Sequence, residues 1–161
     1  MGIEATLYKL SENDFKSLPE DEFDVISQLI PSDVFSNPAF CNLDKSWSML
    51  HYLLCGSVEP DGTVHGDVIL GGDDTAIEMD YGPVKYRSLE RVREIQQALQ
   101  ILDLNTLYSD SDLSAEKTKD IYIADEIIED GVESIKEFFD DMKRFYTEAA
   151  SEGMVVLSYL S

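Results

Sequence analysis

The chain has 161 residues, 43% apolar and 10% aromatic, and its 33 acidic against 12 basic side chains leave a formal net charge of −21. This composition predicts a folded globular protein and excludes two partner classes: nucleic acid, whose phosphates need a basic face to displace their counterions, and anionic membrane surfaces. Such a charge opposes compaction by self-repulsion and steers cationic partners toward the surface.

In chain order, Ile3 to Leu10 alternates loosely and reads as a strand. Ser11 follows as an N-cap, with Glu12 and Asp14 in the first turn of a short helix ending near Leu18-Pro19. Asp21 to Ile30 places Phe23, Ile26, Leu29 and Ile30 at helical spacing, and Pro31 stops it. Ser32 to Asn42 reads as a loop pinned to the body by Phe35 and Phe40. Leu43 to Gly56 is the central helix. Val58 to Gly66, with Pro60, Gly62 and His65, reads as an exposed turn, and Val68 to Leu70 as a short apolar run closed by Gly71-Gly72. Asp73 to Glu78 is expected to start a helix or turn. Ile77 to Tyr86 is strand-like but interrupted by Gly82-Pro83, which argues against a central strand position.

Ser88 caps a helix running through Leu102, with Val92, Ile95, Leu99 and Leu102 on one stripe. Asn105 to Ser109 adds a further helical turn, and Ser109 to Asp120 a partly helical connection. Ile121 to Ala124 is expected to be extended, leading into the acidic run DEIIEDG. The longest helix spans Val132 to Ser151, its stripe made by Val132, Ile135, Phe139, Met142, Tyr146 and Ala149, and Gly153 caps it before a terminal strand from Met154 to Leu160. The expected fold is α+β. One domain over residues 1–161 contains a small, mostly antiparallel or mixed sheet that includes the N- and C-terminal strands, paired with each other, and helices cover it.

The stretch LDKSWSMLHYLLCG, from Leu43 to Gly56, organises the rest. Leu43, Trp47, Leu50 and Leu54 form one helical stripe, while Met49 and Leu53 lie on the far side, so the helix is apolar around most of its circumference. Its Asp44, Lys45, Trp47, Leu50 and His51 resemble the signature of the YfbM-like family, small bacterial proteins grouped as a domain of unknown function. Further stretches carrying the resemblance are Leu70-Gly71-Gly72, the DYGPVKY run from Asp80 to Tyr86, the Ile121-Tyr122 pair, and the ending FYTEAASEGMVVLSYLS. The likeness covers nearly the whole chain and implies no activity. One departure is Cys55, where the family pattern implies threonine or another small polar residue.

His51 is the sharpest chemical candidate, since an imidazole exchanges protons near neutral pH. One reading makes it an acid or base in a pocket closed by Trp47 and Tyr81 or Tyr86, with Ser48 bridging toward Asp44; the other makes it a hydrogen-bonded histidine at the edge of the core. Asp44, just before the helix, is expected to accept amide hydrogens of its first turn. Lys45 is expected to face water or pair with an acid. The binding candidates are therefore Asp44, Lys45, Trp47, His51, Tyr81 and Tyr86, with no firm catalytic residue beyond His51.

Two histidines without HxxxH or CxxC spacing make no zinc pattern, and the calcium-like Asp110, Asp112 and Ser114 lack the glycine and terminal acid of a loop, so neither metal nor cofactor is expected. There is no G-x-S-x-G elbow, and Asp73 and Asp74 after Gly71-Gly72 would repel a phosphate. With no secretion pattern at MGIEATLYKL and no apolar run near 18 residues, the expected location is cytoplasmic, with Cys41 and Cys55 reduced. Two functions fit. The first is an interaction protein, immunity- or antitoxin-like, whose dense acids at Glu20 to Asp24, Asp73 to Asp80 and Asp125 to Glu133 bind or neutralise a basic protein. The alternative is a small-molecule-binding protein or enzyme with a cleft around His51, Asp44, Trp47 and Tyr81. The sequence leans away from an enzyme, and no motif specifies an oligomeric state.

Overall fold

The two ends of the chain lie side by side in one sheet. In the computed structural model, which describes residues 2–161, Ala5–Leu10 (β1) pairs antiparallel with Val155–Leu160 (β5) from Ala5↔Leu160 to Leu10↔Val155. Phe40–Asn42 (β2) adds to the far side of β1, and the hairpin Asp73–Met79 (β3) and Gly82–Arg87 (β4) adds to β5. The order is β2-β1-β5-β4-β3, and every pairing is antiparallel. The expected α+β class and the pairing of the terminal strands are both found.

Between the strands run Glu12–Lys16 (α1), Glu22–Leu29 (α2), Trp47–Cys55 (α3), Leu89–Gln100 (α4), Leu104–Asp110 (α5), Ala115–Thr118 (α6), Ala124–Asp130 (α7) and Glu133–Glu152 (α8). Local chemistry sets their ends. Ser11, Asp21, Ser88 and Asp103 each accept an amide of the first helical turn, and Gly56 and Gly153 end α3 and α8 in the left-handed region that a side chain would disfavour. The α8 stripe Ile135, Phe139, Met142, Tyr146 and Ala149 is buried, as its spacing predicts. In α3 every residue from Trp47 to Leu54 is buried, so this helix is enclosed on all sides.

Strand alternation divides the sheet into two faces. One presents Ala5, Leu7, Lys9, Lys85, Arg87, Val156, Ser158 and Leu160 toward α3, α4 and α8, around the larger core. The other presents Leu10, Val84, Val155, Leu157 and Tyr159 to α1 and α2, around a small core that includes Val25 and Leu29. Lys9 is buried yet charged, because its ammonium reaches Glu148 and Glu152 of α8 at 3.1 and 2.9 Å. No helix among the described residues is long and apolar enough to cross a membrane.

Four local expectations are corrected. Residues 73–78 form an edge strand, not a helix or turn; exposed acids protect its free edge and hide the strand pattern. Pro83 does sit in an inner strand, but β5 pairs with β4 only from Lys85 onward, so the missing N–H removes no bond to β5. Residues 121–123 form a turn, because the Tyr122 amide is taken by a side chain, Ser48 Oγ, and not by a strand. The loop expected at 32–42 ends in β2, with Phe40 stacked on Tyr8, but Phe35 is 77% exposed and pins nothing.

Candidate functional site

A cleft of about 650 Å³ opens between the start of α3 and the helix-covered face of the sheet. Its floor is Pro83 and Lys85 of β4 with Ser158 and Leu160 of β5. Trp47 and Ser48, residues 58–60, Ile69 and Leu70, and residues 119–123 make the walls, and Tyr81 at the hairpin tip stands on the rim. The five stretches that carry the family resemblance all contribute to it.

Each wall is fixed by bonds that can be followed from the sequence. Trp47 Nε1 donates to the Ile3 carbonyl at 2.8 Å, the Ile3 amide donates to Tyr122 Oη at 3.2 Å, and the Tyr122 ring stacks on Trp47 with centroids 6.0 Å apart. The Tyr122 amide donates to Ser48 Oγ at 3.1 Å, which locks residues 121–123 against α3. The next residue, Ile123, has φ +48°, an outlier for a β-branched side chain that costs roughly 1–3 kcal/mol and persists only where surroundings enforce it.

The opposite wall is irregular backbone buried against a sheet, so its carbonyls need donors. Arg87 Nε takes the Asp67 carbonyl, and its Nη2 takes those of Ile69 and Gly71 at 2.8 and 2.7 Å. Ser158 Oγ also donates to Ile69 at 2.8 Å, and Tyr146 Oη to Val68 at 2.5 Å. Burial lowers the Arg87 pKa and pushes that of Tyr146 up to about 12, and Arg87 Nη1 has no partner. At Gly72, φ is +106° and any Cβ would fall 2.8 Å from the Tyr86 carbonyl oxygen, so only glycine fits. The turn is thus held by three side chains, Arg87 and Ser158 from the sheet and Tyr146 from α8.

Of the binding candidates, the cleft brings together Trp47 and Tyr81. Asp44 and Lys45 lie on a 3-10 turn before α3: Asp44 has φ +48° and gives its amide to Asn42 Oδ1 at 2.7 Å, while the Lys45 stem packs beside Gly2. Asp44 therefore caps no helix, contrary to expectation. Tyr86 is on the other face of the sheet, stacked on Phe15, because it alternates with Lys85.

His51 is 0% exposed and does not line the cleft. Its Nε2 contacts Cys55 Sγ at 3.4 Å and its Nδ1 is unpartnered. Ser48 does not bridge it to Asp44, since the Ser48 hydroxyl is committed to Tyr122. Burial lowers the His51 pKa, only partly opposed by the nearby Glu59 backbone and the carboxylates of Asp61 and Glu59. Burial likewise raises the thiol pKa of Cys55, and both Cys55 and Cys41 are free. This pair suits packing better than proton transfer.

Sequence reasoning missed Glu59, Lys85, Lys119 and Asp120 in the cleft lining, the Lys85 amine being paired with Asp74, and the holding roles of Arg87, Tyr146 and Ser158. One signal was available: strict alternation in Val84-Lys85-Tyr86-Arg87 puts two cations on the same face of a strand. The described residues hold no cluster of three or more potential metal ligands.

The comparisons with known proteins agree with this architecture. No curated protein matches. Among solved structures, the crystal structure of YfbM from Escherichia coli, a protein of unknown function, aligns with a TM-score of 0.72 at 18% sequence identity, covering 98% of this chain and 99% of that one. At that identity the likeness shows the fold alone. The model of the family described as a domain of unknown function (DUF1877) matches residues 1–159, and with nearly the whole length covered the chain belongs to that family.

Proposed function

We propose that the protein binds a small organic ligand in the cleft beside Trp47, and that it acts by binding and not by catalysis. The observation that carries this reading is the convergence of Trp47, Tyr81 and Tyr122 with Lys85 and Lys119 on one open concavity. Its volume of about 650 Å³ falls in the range typical of small-molecule sites, which combine apolar walls with a few polar groups. Aromatic walls suit a planar or apolar body, and Lys119, with Lys85 when it leaves Asp74, suits a carboxylate on it, while Glu59 and Asp120 in the same walls disfavour a highly charged anion. The seclusion of His51 argues against general acid–base chemistry there.

The sole tryptophan forms a wall of the cleft, so its fluorescence reports occupancy. Aromatic metabolites bearing a carboxylate should change that emission saturably, and Tyr81→Ala should weaken the response without lowering stability, since Tyr81 is exposed. A panel of such compounds that leaves Trp47 emission and thermal stability untouched would falsify the proposal.

A different observation favours a second reading, an acidic surface that docks a basic protein. The acids of the runs 20–24, 73–80 and 125–133 are all solvent-exposed, and few of them are paired. Affinity of this kind falls as ionic strength rises, whereas binding in the cleft depends on salt far less.

A further inference from the structure

A second concavity lies beside the free edge of the sheet. It is a groove of about 670 Å³ between α2, the segment after α1, and β3. Phe15, Leu18, Val25 and Ile77 give it an apolar floor, and Glu20, Glu22 and Glu78 stand around it; among the described residues no lysine or arginine lines it. β3 ends the strand order, so one side of its backbone has no strand neighbour. Its register is irregular between Asp74 and Glu78, where Thr75 Oγ1 accepts the Ile77 amide at 3.2 Å. The exposed acids and the irregularity are the devices by which proteins keep edge strands from pairing with copies of themselves.

We infer that this edge and its groove receive an extended, basic segment of a partner protein, added beside β3. The inference rests on the second reading above and gives it a place. Charge chooses the occupant. A second copy would set the same acids of Asp73, Asp74 and Glu78 against this edge in a chain of net charge −21, and an anionic ligand would meet three glutamates. An extended segment turns alternate side chains to opposite sides. Apolar residues at every second position would enter the floor between Phe15, Leu18, Val25 and Ile77, while lysines or arginines between them, turned outward, fold their long stems back over the rim to Glu20, Glu22 and Glu78. Because the Ile77 amide is folded back onto Thr75, the backbone ladder is short, and groove and charge supply most of the affinity.

The test uses two short peptides of identical composition, one alternating leucine with lysine and one with its lysines in a block, measured by fluorescence anisotropy against the whole protein. At about 50 mM salt, where screening is weak, the alternating peptide should bind more tightly. The double variant Glu20→Gln/Glu22→Gln, at exposed positions, should weaken it by about fivefold, the loss expected for two exposed ion pairs. Backbone amide signals of β3 and α2 should shift on binding, and those of α7 should not. If both peptides bind equally and Asp125→Asn/Glu126→Gln weakens them more than the groove variant does, an acidic docking surface survives and its assignment to this groove is overturned. If neither peptide binds, the inference and the reading beneath it both fail.

Discussion

The two faces of the sheet invert the usual correspondence between strand polarity and core size. The face under α3, α4 and α8 carries Lys9, Lys85, Arg87 and Ser158 among its strand residues, yet it supports the larger core, twenty-six buried residues against seven. The face under α1 and α2 presents almost unbroken apolar side chains, but two short helices cover it and Phe23 of α2 stays 77% exposed. The polar residues on the first face have work that apolar ones could not do. Lys9 docks α8, while Arg87 and Ser158 satisfy the carbonyls of the irregular turn that walls the cleft. The second face needs no such donors, and its thin cover leaves a groove open at the edge. One face is built to hold a shaped cleft, the other to stay partly uncovered.

The sharpest way to break this comparison is Arg87→Leu. The substitution fits an apolar side chain beneath the turn but leaves the carbonyls of Asp67 and Gly71 without their donors and that of Ile69 with Ser158 Oγ alone. Each buried carbonyl left unsatisfied costs roughly 1–3 kcal/mol, and two are left, so urea unfolding should show a loss of about 2–5 kcal/mol. Lys85→Leu, on the same face but with a partly exposed side chain paired to exposed Asp74, should cost under about 1 kcal/mol. An Arg87→Leu protein as stable as the wild type would mean that the turn is not held from the sheet.

One truncation made on both faces sharpens the contrast. Leu50 and Leu29 are each 0% exposed, so loss of transferred area is comparable, and the difference comes from how far the surroundings can close the cavity. α3 is enclosed on all sides, and Leu50→Ala should cost about 4 kcal/mol. α2 has a free outer side and can settle inward, so Leu29→Ala should cost about 2 kcal/mol. Native-state hydrogen exchange should show the α2 amides opening well before those of α8. Equal costs and equal protection would erase the distinction between a sealed face and a thinly covered one.

How much of this was legible in the sequence follows the same division. The two terminal strands, the α8 stripe and the enclosed α3 were readable because each depends on periodicity within a single segment, whereas the pairing of the strands is a long-range contact that no one segment encodes. β3 was not, since its acids serve edge protection and mask the strand pattern. Trp47 and Tyr81 both line the cleft, but without the expected companions His51, which packs inward against Cys55, and Tyr86, which alternation sends to the other face. The cleft itself depends on the turn at 66–72 crossing the sheet. Nothing local to that turn says which strand will satisfy its carbonyls; only the assembled register sets Arg87 and Ser158 beneath it.

The smallest expected effect tests whether the enclosed face is sealed to protons. Burial holds the His51 pKa below its ordinary 6.5, so between those two values the unfolded chain binds more protons than the folded one. Stability carried by neutral His51 is therefore complete above 6.5 and is lost as the pH falls toward the folded-state value, at up to about 1.4 kcal/mol per pH unit. His51→Gln removes this dependence while keeping a polar side chain. Because acidification also relieves repulsion among the 33 acids of both proteins, the quantity to follow is the difference between their urea midpoints. That difference should stay constant above about pH 7 and move in favour of the glutamine variant below it. A difference flat down to pH 5 would mean that His51 titrates alike in folded and unfolded chains, as a solvated imidazole does, and the sealed character of α3 would have to be given up.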